Sequence, residues 1–118
     1  MDESRAPDAR TTLRQLREAV AEFVRERSWN RYHTPKNLAM SIAIEAAELM
    51  ERFQWHTVEE SAALVKEAGM RHDMADELAD VMIYCLALAN QAEIEVSTAV
   101  RAKLARNAER FPIGYHPT

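Results

Sequence analysis

The amino-acid sequence predicts an all-α protein built as a small helical bundle, and three observations support this. Apolar residues recur three to four positions apart over several long stretches, and no stretch alternates as a β-strand would. Ala, Leu, Glu and Arg, which are good helix formers, dominate the composition. Threonine stands at three points where a helix would begin, and its side chain can accept a hydrogen bond from the first turn: Thr12, Thr34 and Thr57. The predicted fold class is therefore all-α.

Five helices are expected, in the order in which their start signals and apolar stripes occur. Residues 12–15 and 57–60 match the capping box, Thr-x-x-Gln or Thr-x-x-Glu. Thr34 followed by Pro35 suits a helix start, because Pro is favoured in the first turn. Gly69 is expected to end a short helix, since Gly readily adopts the left-handed conformation found there. The expected helices cover residues 12–28, 35–54, 58–68, 71–91 and 96–110.

The length of 118 residues suits one domain with a single core. Residues 1–11 are expected to be a flexible N-terminal arm, 12–112 the domain and 113–118 a C-terminal tail. The net charge of −4 and the pI near 5.6 argue against binding to a nucleic-acid polymer, which usually requires a basic surface.

The sequence also bears on the cellular compartment. No apolar run approaches the roughly 20 residues that a membrane-spanning helix needs, and the N-terminal stretch lacks the apolar core of a signal peptide. Cys85 is the only cysteine, so no disulfide can form within the chain. We therefore expect a cytoplasmic protein that does not associate with membranes.

Two pairs of acidic residues mark the candidate functional site. Glu45 and Glu48 lie in one predicted helix, and Glu77 and Asp80 lie in another; each pair is three residues apart. This spacing places both acids of a pair on one side of their helix. At about 100° per residue, Glu45 falls in the middle of the apolar arc and Glu48 at its edge. A carboxylate that faces a core needs a cation or hydrogen-bond donors, and four converging carboxylates would repel one another without a cation.

The ligand chemistry narrows the choice of metal. Four carboxylates are hard oxygen donors, which suit Mg²⁺ or, as a substitute, Mn²⁺. A di-iron bundle would need Glu-x-x-His on two helices, and zinc would need a His or Cys cluster; the sequence has neither pattern. The alternative is that the acids form an ordinary solvated surface. Asp73 and Asp76, close to the second pair, are either surface residues or groups that support the ligands.

The acids lie in longer stretches that resemble one known family. Glu-x-x-Glu, then 28 residues, then Glu-x-x-Asp is similar to the signature of the all-α nucleoside triphosphate pyrophosphohydrolases, the MazG-like superfamily. Three stretches of this chain resemble the dCTP pyrophosphatase branch of that superfamily, also known as the XTP3-transactivated protein A group. They are WNRYHTPKNLAMSIAIEAAELMERFQW, DELADVMIYCLALA and KLARNAERFP. The stretch NQAEIE stands where the family more usually has a Gly-Ile-Asp type of turn. The resemblance extends over residues 12 to 112.

The resemblance implies a fold, an activity and a set of site residues. The fold would be the four-helix-bundle-like MazG type, with one additional short helix between the two acidic helices. Family members use Mg²⁺ to cleave nucleoside triphosphates between the α and β phosphates, giving a nucleoside monophosphate and pyrophosphate. By motif position, the implied metal ligands and catalytic acids are Glu45, Glu48, Glu77 and Asp80. The implied phosphate-binding residues are Lys36, Lys103, Asn107 and Arg110, and the implied base and sugar pocket is Trp29, His33, Asn37, Trp55 and Tyr84.

The expected substrate is dCTP or a modified dCTP, removed from the nucleotide pool. The enzymatic alternative is the same reaction on dUTP or on a broad set of nucleoside triphosphates, and the alternative of another class is a non-catalytic helical interaction module. Glu48 is expected to orient or deprotonate the attacking water, because it lies at the edge of the apolar arc, where water has access. The branch also implies a homo-oligomer, often a tetramer built as a dimer of dimers, with sites between subunits.

Overall fold

The structure, a computed structural model, describes residues 6–117. Every regular element in this range is a helix, which confirms the predicted all-α class. None of the helices described there is long and apolar enough to cross a membrane; the cytoplasmic location stays a prediction. The helices are α1 (Pro7–Arg10), α2 (Leu13–Glu26), α3 (Pro35–Glu51), α4 (Val58–Leu64), α5 (Ala68–Ala92) and α6 (Val96–Arg110).

The predicted helix starts at the three threonines are confirmed. Thr12 and Thr57 form complete capping boxes, in which each side chain of the motif binds the backbone at the other end. The Thr34 hydroxyl accepts the backbone N–H of Asn37 at 3.3 Å, and Pro35 is the first residue of α3. These caps satisfy N–H groups that a helix start would otherwise leave without a partner. The short helix α4 lies between the two acidic helices, as the resemblance implied.

The prediction that Gly69 ends the short helix is wrong. α4 already ends at Leu64, and two successive turns lead from there to the start of α5 at Ala68. Gly69 is the second residue of α5 and does not have the positive φ that a C-terminal stop requires. A glycine indicates that a helix boundary is near, but not whether the glycine lies before or after it. As a result, α4 is shorter and α5 begins earlier than the apolar stripe indicated.

One helical turn, α1, lies within the segment that was expected to be a flexible arm. Pro7 begins it and Asp8 stands in its first turn, and both residue types are favoured there. None of its residues is buried, so it contributes nothing to the core. The first five residues of the expected arm and the last residue of the expected tail lie outside the described residues, and the boundaries 1–11, 12–112 and 113–118 stay predictions.

Two helices end on a left-handed residue that is not glycine. Ser28 (φ 55°) is the second residue after α2, and Glu93 (φ 53°) is the first residue after α5. The next residue in each case, Trp29 or Ile94, donates its N–H at 3.0 Å to a carbonyl five residues back, which is the Schellman arrangement. Holding a non-glycine residue in this conformation costs roughly 1–3 kcal/mol. The stretch NQAEIE therefore closes its turn through Glu93, without the glycine that is more usual in the family.

The core lies where α5 packs against α3 and α2, which are the close helix pairs. The radius of gyration is 17.1 Å, larger than the about 13.5 Å expected for a compact chain of this length. α6 is exposed along most of its length, including its large apolar residues Val100 and Leu104. The buried apolar residues are Val24, Leu38, Leu86, Ala87 and Ala89. A single chain therefore leaves much of its apolar surface uncovered.

Candidate metal centre

The packing of α3 against α5 brings three of the predicted metal ligands together. One carboxylate oxygen from each of Glu45, Glu48 and Glu77 lies within 4.8 Å of the other two. Glu77 is buried, Glu45 is half-buried and Glu48 is exposed, so the cluster opens to solvent on the Glu48 side. The burial of Glu45 and the exposure of Glu48 agree with their predicted positions on the helical wheel. Asp80, the fourth predicted ligand, is exposed and lies outside this cluster; its role as a ligand stays a prediction.

Two oxygens of this cluster are buried without any hydrogen-bond partner: Oε2 of Glu45 and Oε2 of Glu77. A charged carboxylate oxygen in this position loses its hydration and gains no hydrogen bond in return, so its burial is destabilising unless a cation or donor meets it. A divalent cation that contacted these two oxygens would supply the missing partner. Because all three residues of the cluster offer carboxylate oxygens, the donor set fits a hard ion such as Mg²⁺ or Mn²⁺.

An arginine of the chain itself contacts the cluster. Arg52, the residue that follows α3, donates from Nη2 to Oε1 of Glu77 at 3.0 Å, and its Nη1 lies 3.6 Å from Oδ2 of Asp73. The hydrogen bond to Glu77 raises the pKa of Arg52 above its ordinary value. The interpretation of the sequence missed Arg52. Its position four residues after Glu48 and seven after Glu45 was the available signal, because these spacings share one helix face.

Crowding of the carboxylates changes the protonation of Glu48. Its pKa is raised above the ordinary value, first because a proton on Glu48 can be shared with the adjacent Glu45 carboxylate and then because the charge of Glu45 repels a second negative charge; Glu77 adds to both effects. The folded chain without metal therefore binds a proton at Glu48 more tightly than the unfolded chain does. A bound cation would act in the opposite direction by stabilising the ionised carboxylates.

Three residues of the predicted base pocket form a row of rings. The centroids of Trp29 and His33 are 6.3 Å apart, as are those of His33 and Tyr84. After the left-handed turn at Ser28, Trp29 packs on α2 with its ring centroid 5.6 Å from that of Phe23, in a T-shaped arrangement. Tyr84 is seven residues after Glu77 on α5, so it lies on the same helix face two turns away. The row of rings thus begins on the helix that carries the buried acid.

The remaining predicted pocket residues, Asn37 and Trp55, lie at the surface near α3, and so does the predicted phosphate-binding residue Lys36. The side-chain Nδ2 of Asn37 donates to the carbonyl of Tyr32 at 3.0 Å, so this residue fastens the loop that precedes α3. Lys36 is exposed, and Trp55, in the turn after α3, is 86% exposed. Their contact with a substrate stays a prediction.

The predicted phosphate-binding residues of α6 do not line the cleft beside the acids within one chain, and their contact with a substrate stays a prediction. Lys103 and Arg110 are exposed and Asn107 is half-buried. The guanidinium of Arg110 lies 5.0 Å from the centre of the Phe111 ring. No residue of α6, all of which the structure describes, lines the cleft beside the acids, which is formed by Glu48, Glu51, Arg52, Gln54 and Glu77.

Comparison with known proteins identifies the family. The model of the MazG-like family matches residues 40–116, which is more than half of the chain. The chain belongs to the MazG-like family. The family predicted from the sequence is therefore confirmed, and so is the all-α fold that the resemblance implied.

Two curated relatives and one solved structure refine the assignment to this family. dCTP pyrophosphatase 1 of Rattus norvegicus is 36% identical over 102 residues, and that of Homo sapiens is 38% identical over 101 residues; each match covers 86% of this chain. The chain spans 60% and 59% of the length of these relatives. A pyrophosphatase from Archaeoglobus fulgidus is 40% identical with a TM-score of 0.79, over 85% of this chain and 92% of that one. These similarities confirm the predicted likeness to the dCTP pyrophosphatase branch of the family.

The protonation of Glu48 provides a test of the cluster in the metal-free protein. Replacing Glu45→Gln should lower the pKa of Glu48 towards 4.5, its ordinary value, because Glu45 is the largest cause of the shift. A folded pKa above the unfolded one means that stability is lost as the pH rises from the ordinary value through the folded pKa. Wild type should therefore lose stability over this pH window, and the variant should lose less.

Carbon-13 NMR titration of the carboxyl groups measures the pKa, and urea unfolding across the same pH range measures the stability. Glu59→Gln, on the exposed start of α4, is the matched control and should leave the pKa of Glu48 unchanged. An unchanged Glu48 titration in Glu45→Gln would show that the two carboxylates do not interact in solution.

Proposed function

We propose that this chain is a Mg²⁺-dependent nucleoside triphosphate pyrophosphohydrolase that cleaves dCTP or a modified dCTP between its α and β phosphates. The observation that carries the proposal is the three-carboxylate cluster, with two buried oxygens that lack a partner. The names of the relatives, dCTP pyrophosphatase 1 at 36% and 38% identity, support the reaction and the substrate. Mn²⁺ is expected to replace Mg²⁺, since both accept carboxylate oxygens.

We assign the residues of the cluster different roles in hydrolysis. A divalent cation at this site supplies positive charge that offsets the charge on the phosphate oxygens. Glu45 and Glu77 would hold it through the oxygens that have no other partner, and Asp80, exposed one turn after Glu77, is proposed as a further ligand. Glu48 is exposed, so a water can approach it, and we assign it to orient that water and accept its proton.

The chemical step follows from this arrangement. The water oxygen forms a bond to the α phosphorus, and the bond from this phosphorus to the oxygen that bridges to the β phosphate breaks. The electron pair of that bond leaves with pyrophosphate, and the proton of the water passes to Glu48. The other product is the nucleoside monophosphate. Lys36 and, from a neighbouring copy of the chain, Lys103, Asn107 and Arg110 are proposed to bind the phosphates, because two or three charge-assisted hydrogen bonds would fix the leaving group.

The row of rings is the proposed base-binding surface. Trp29 and Tyr84 offer flat apolar faces, and His33 between them can form a hydrogen bond to the edge of a base. Asn37 and Trp55 are proposed to complete the pocket around the sugar and base. Because Tyr84 and Glu77 share one face of α5, a ligand with a triphosphate at one end and a base at the other would lie along this helix.

A homo-oligomer is part of the proposal, with the tetramer as the expected state. Two apolar surfaces have no partner among residues 6–117, the part of the chain that the structure describes. The first is a stripe on α6, in which Val100 and Leu104 are exposed at a spacing of four residues. The second is a groove between α3 and α5, lined by Ala46, Leu49, Met50, Phe53, Met74 and Leu78. Burying an exposed Leu or Met side chain contributes roughly 1.5–3 kcal/mol, and a second copy of the chain supplies a surface of matching character.

Turnover of a nucleotide panel tests the activity. Wild type with Mg²⁺ should release pyrophosphate from dCTP faster than from the other deoxynucleotides and nucleotides, and dCMP should be the second product. Glu48→Gln should lower kcat by roughly 10²–10⁴-fold, the usual contribution of a general base, while Glu59→Gln should behave as wild type. Trp29→Ala should raise KM more than it lowers kcat, because stacking on the base is the same in the ground state and the transition state.

The contrary outcomes separate the alternatives. Full activity in Glu48→Gln would remove this residue from the catalytic machinery. Faster hydrolysis of dUTP than of dCTP would overturn the assigned base. A folded protein that hydrolyses no nucleotide and binds none would instead be the helical interaction module.

Sedimentation velocity tests the oligomer. Wild type should sediment as a tetramer of 13.5 kDa chains, and Leu104→Glu, which places a charge in the stripe on α6, should sediment as a smaller species. Ile113→Glu is the control, because Ile113 is fully exposed in the C-terminal segment, and it should leave the sedimentation unchanged. A wild-type protein that remains monomeric at micromolar concentration would contradict the oligomer.

A further inference from the structure

One arginine fixes the most buried carboxylate of the cluster from one side. Arg52 donates to Oε1 of Glu77 at 3.0 Å, whereas Oε2 of the same carboxylate is buried and has no partner. The two oxygens of Glu77 are therefore in different surroundings: one is bound by a guanidinium, and the other is free. Glu77 is only 9% exposed, so its carboxylate has little freedom to find other partners in solvent.

Arg52 is itself held in place by both helices. Its backbone N–H donates to the carbonyl of Leu49 at 3.2 Å, which ties it to the end of α3. Its second guanidinium nitrogen lies 3.6 Å from Asp73, one turn before Glu77 on α5. A planar guanidinium that meets two carboxylates with two of its nitrogens has a defined orientation. The direction of the Glu77 carboxylate thus follows from the packing of α3 on α5.

We propose that Arg52 is a positioning residue for the metal centre, which binds Oε1 of Glu77 and thereby presents Oε2 to a divalent cation. The proposal rests on the proposed function, because it requires that a cation binds at the cluster. Carboxylates that bind metals are themselves commonly held by a hydrogen bond from an outer residue, and this bond sets their direction. Arg52 is the residue that supplies such a bond to Glu77.

The opposite role, in which Arg52 occupies the site and competes with the metal, fits the geometry less well. A competing guanidinium would take the oxygens that the metal needs. Oε2 of Glu45 and Oε2 of Glu77 have no hydrogen-bond partner even with Arg52 in place. Arg52 therefore leaves both of these atoms without a hydrogen-bond partner.

Binding of Mn²⁺ alone to the full chain tests the proposal without relying on turnover. The electron paramagnetic resonance signal of free Mn²⁺ gives the affinity directly, in the absence of nucleotide. Arg52→Gln should bind Mn²⁺ at least about tenfold more weakly, the usual effect of losing an outer-shell hydrogen bond. Arg52→Lys should be intermediate, because it keeps the charge but loses the planar pair of donors. Arg25→Gln, which breaks an exposed ion pair with Glu22 on α2, is the control and should bind as wild type.

An unchanged or tighter Mn²⁺ affinity in Arg52→Gln would overturn the positioning role, and tighter binding would make Arg52 a competing cation. If Arg52→Gln fails to fold by circular dichroism, Arg52→Lys decides, and an affinity equal to that of wild type would then overturn the proposal. Absence of Mn²⁺ binding in wild type would contradict both this role and the metal centre of the proposed function. Normal wild-type binding with no loss in the variant would contradict the role of Arg52 alone.

Discussion

The electrostatic conflict among three carboxylates between α3 and α5 is the constraint on which the site depends. Carboxylate oxygens of Glu45, Glu48 and Glu77 come within 4.8 Å of one another, and the proximity of the other two raises the pKa of Glu48. Apolar packing of the two helices, with Leu38 in α3 and Leu86 in α5 buried, holds the acids there against this repulsion. Arg52 offsets part of this repulsion by donating a hydrogen bond to one oxygen of Glu77. Two other buried oxygens of the cluster have no hydrogen-bond partner and are the atoms that a cation would contact.

α5 is the element that relates the acids to the aromatic residues. It carries Glu77 at one point and Tyr84 two turns later, and it packs against both α3 and α2. The turn at the end of α2 places Trp29 against Phe23, and His33 completes the row to Tyr84. One helix thus sets the separation between the acid cluster and the row of rings, roughly 10 Å for seven residues at 1.5 Å per residue.

Much of this arrangement could be predicted from the sequence because its causes are local. A threonine cap or a carboxylate within an apolar arc depends on residues three or four positions away, and Thr12, Thr57 and Glu45 were predicted on that basis. The partnership of Arg52 with Glu77 joins residues 25 positions apart, and a helical wheel of one element does not reveal which side chain meets it from another. The ends of α4 and α5 around Gly69 depend on the path between helices, which an apolar stripe does not define. The contacts of the α6 residues could not be predicted either, because α6 lies on a surface that one chain leaves exposed.

A crystal structure of the protein soaked in Mn²⁺ would test the metal centre most directly, through the anomalous scattering of the ion. The expected result is a peak within coordination distance of the carboxylates of Glu45 and Glu77, with Glu48 on its solvent side and Arg52 still bound to Oε1 of Glu77. No peak at this cluster, or a peak held by other residues, would contradict a metal centre built on α3 and α5.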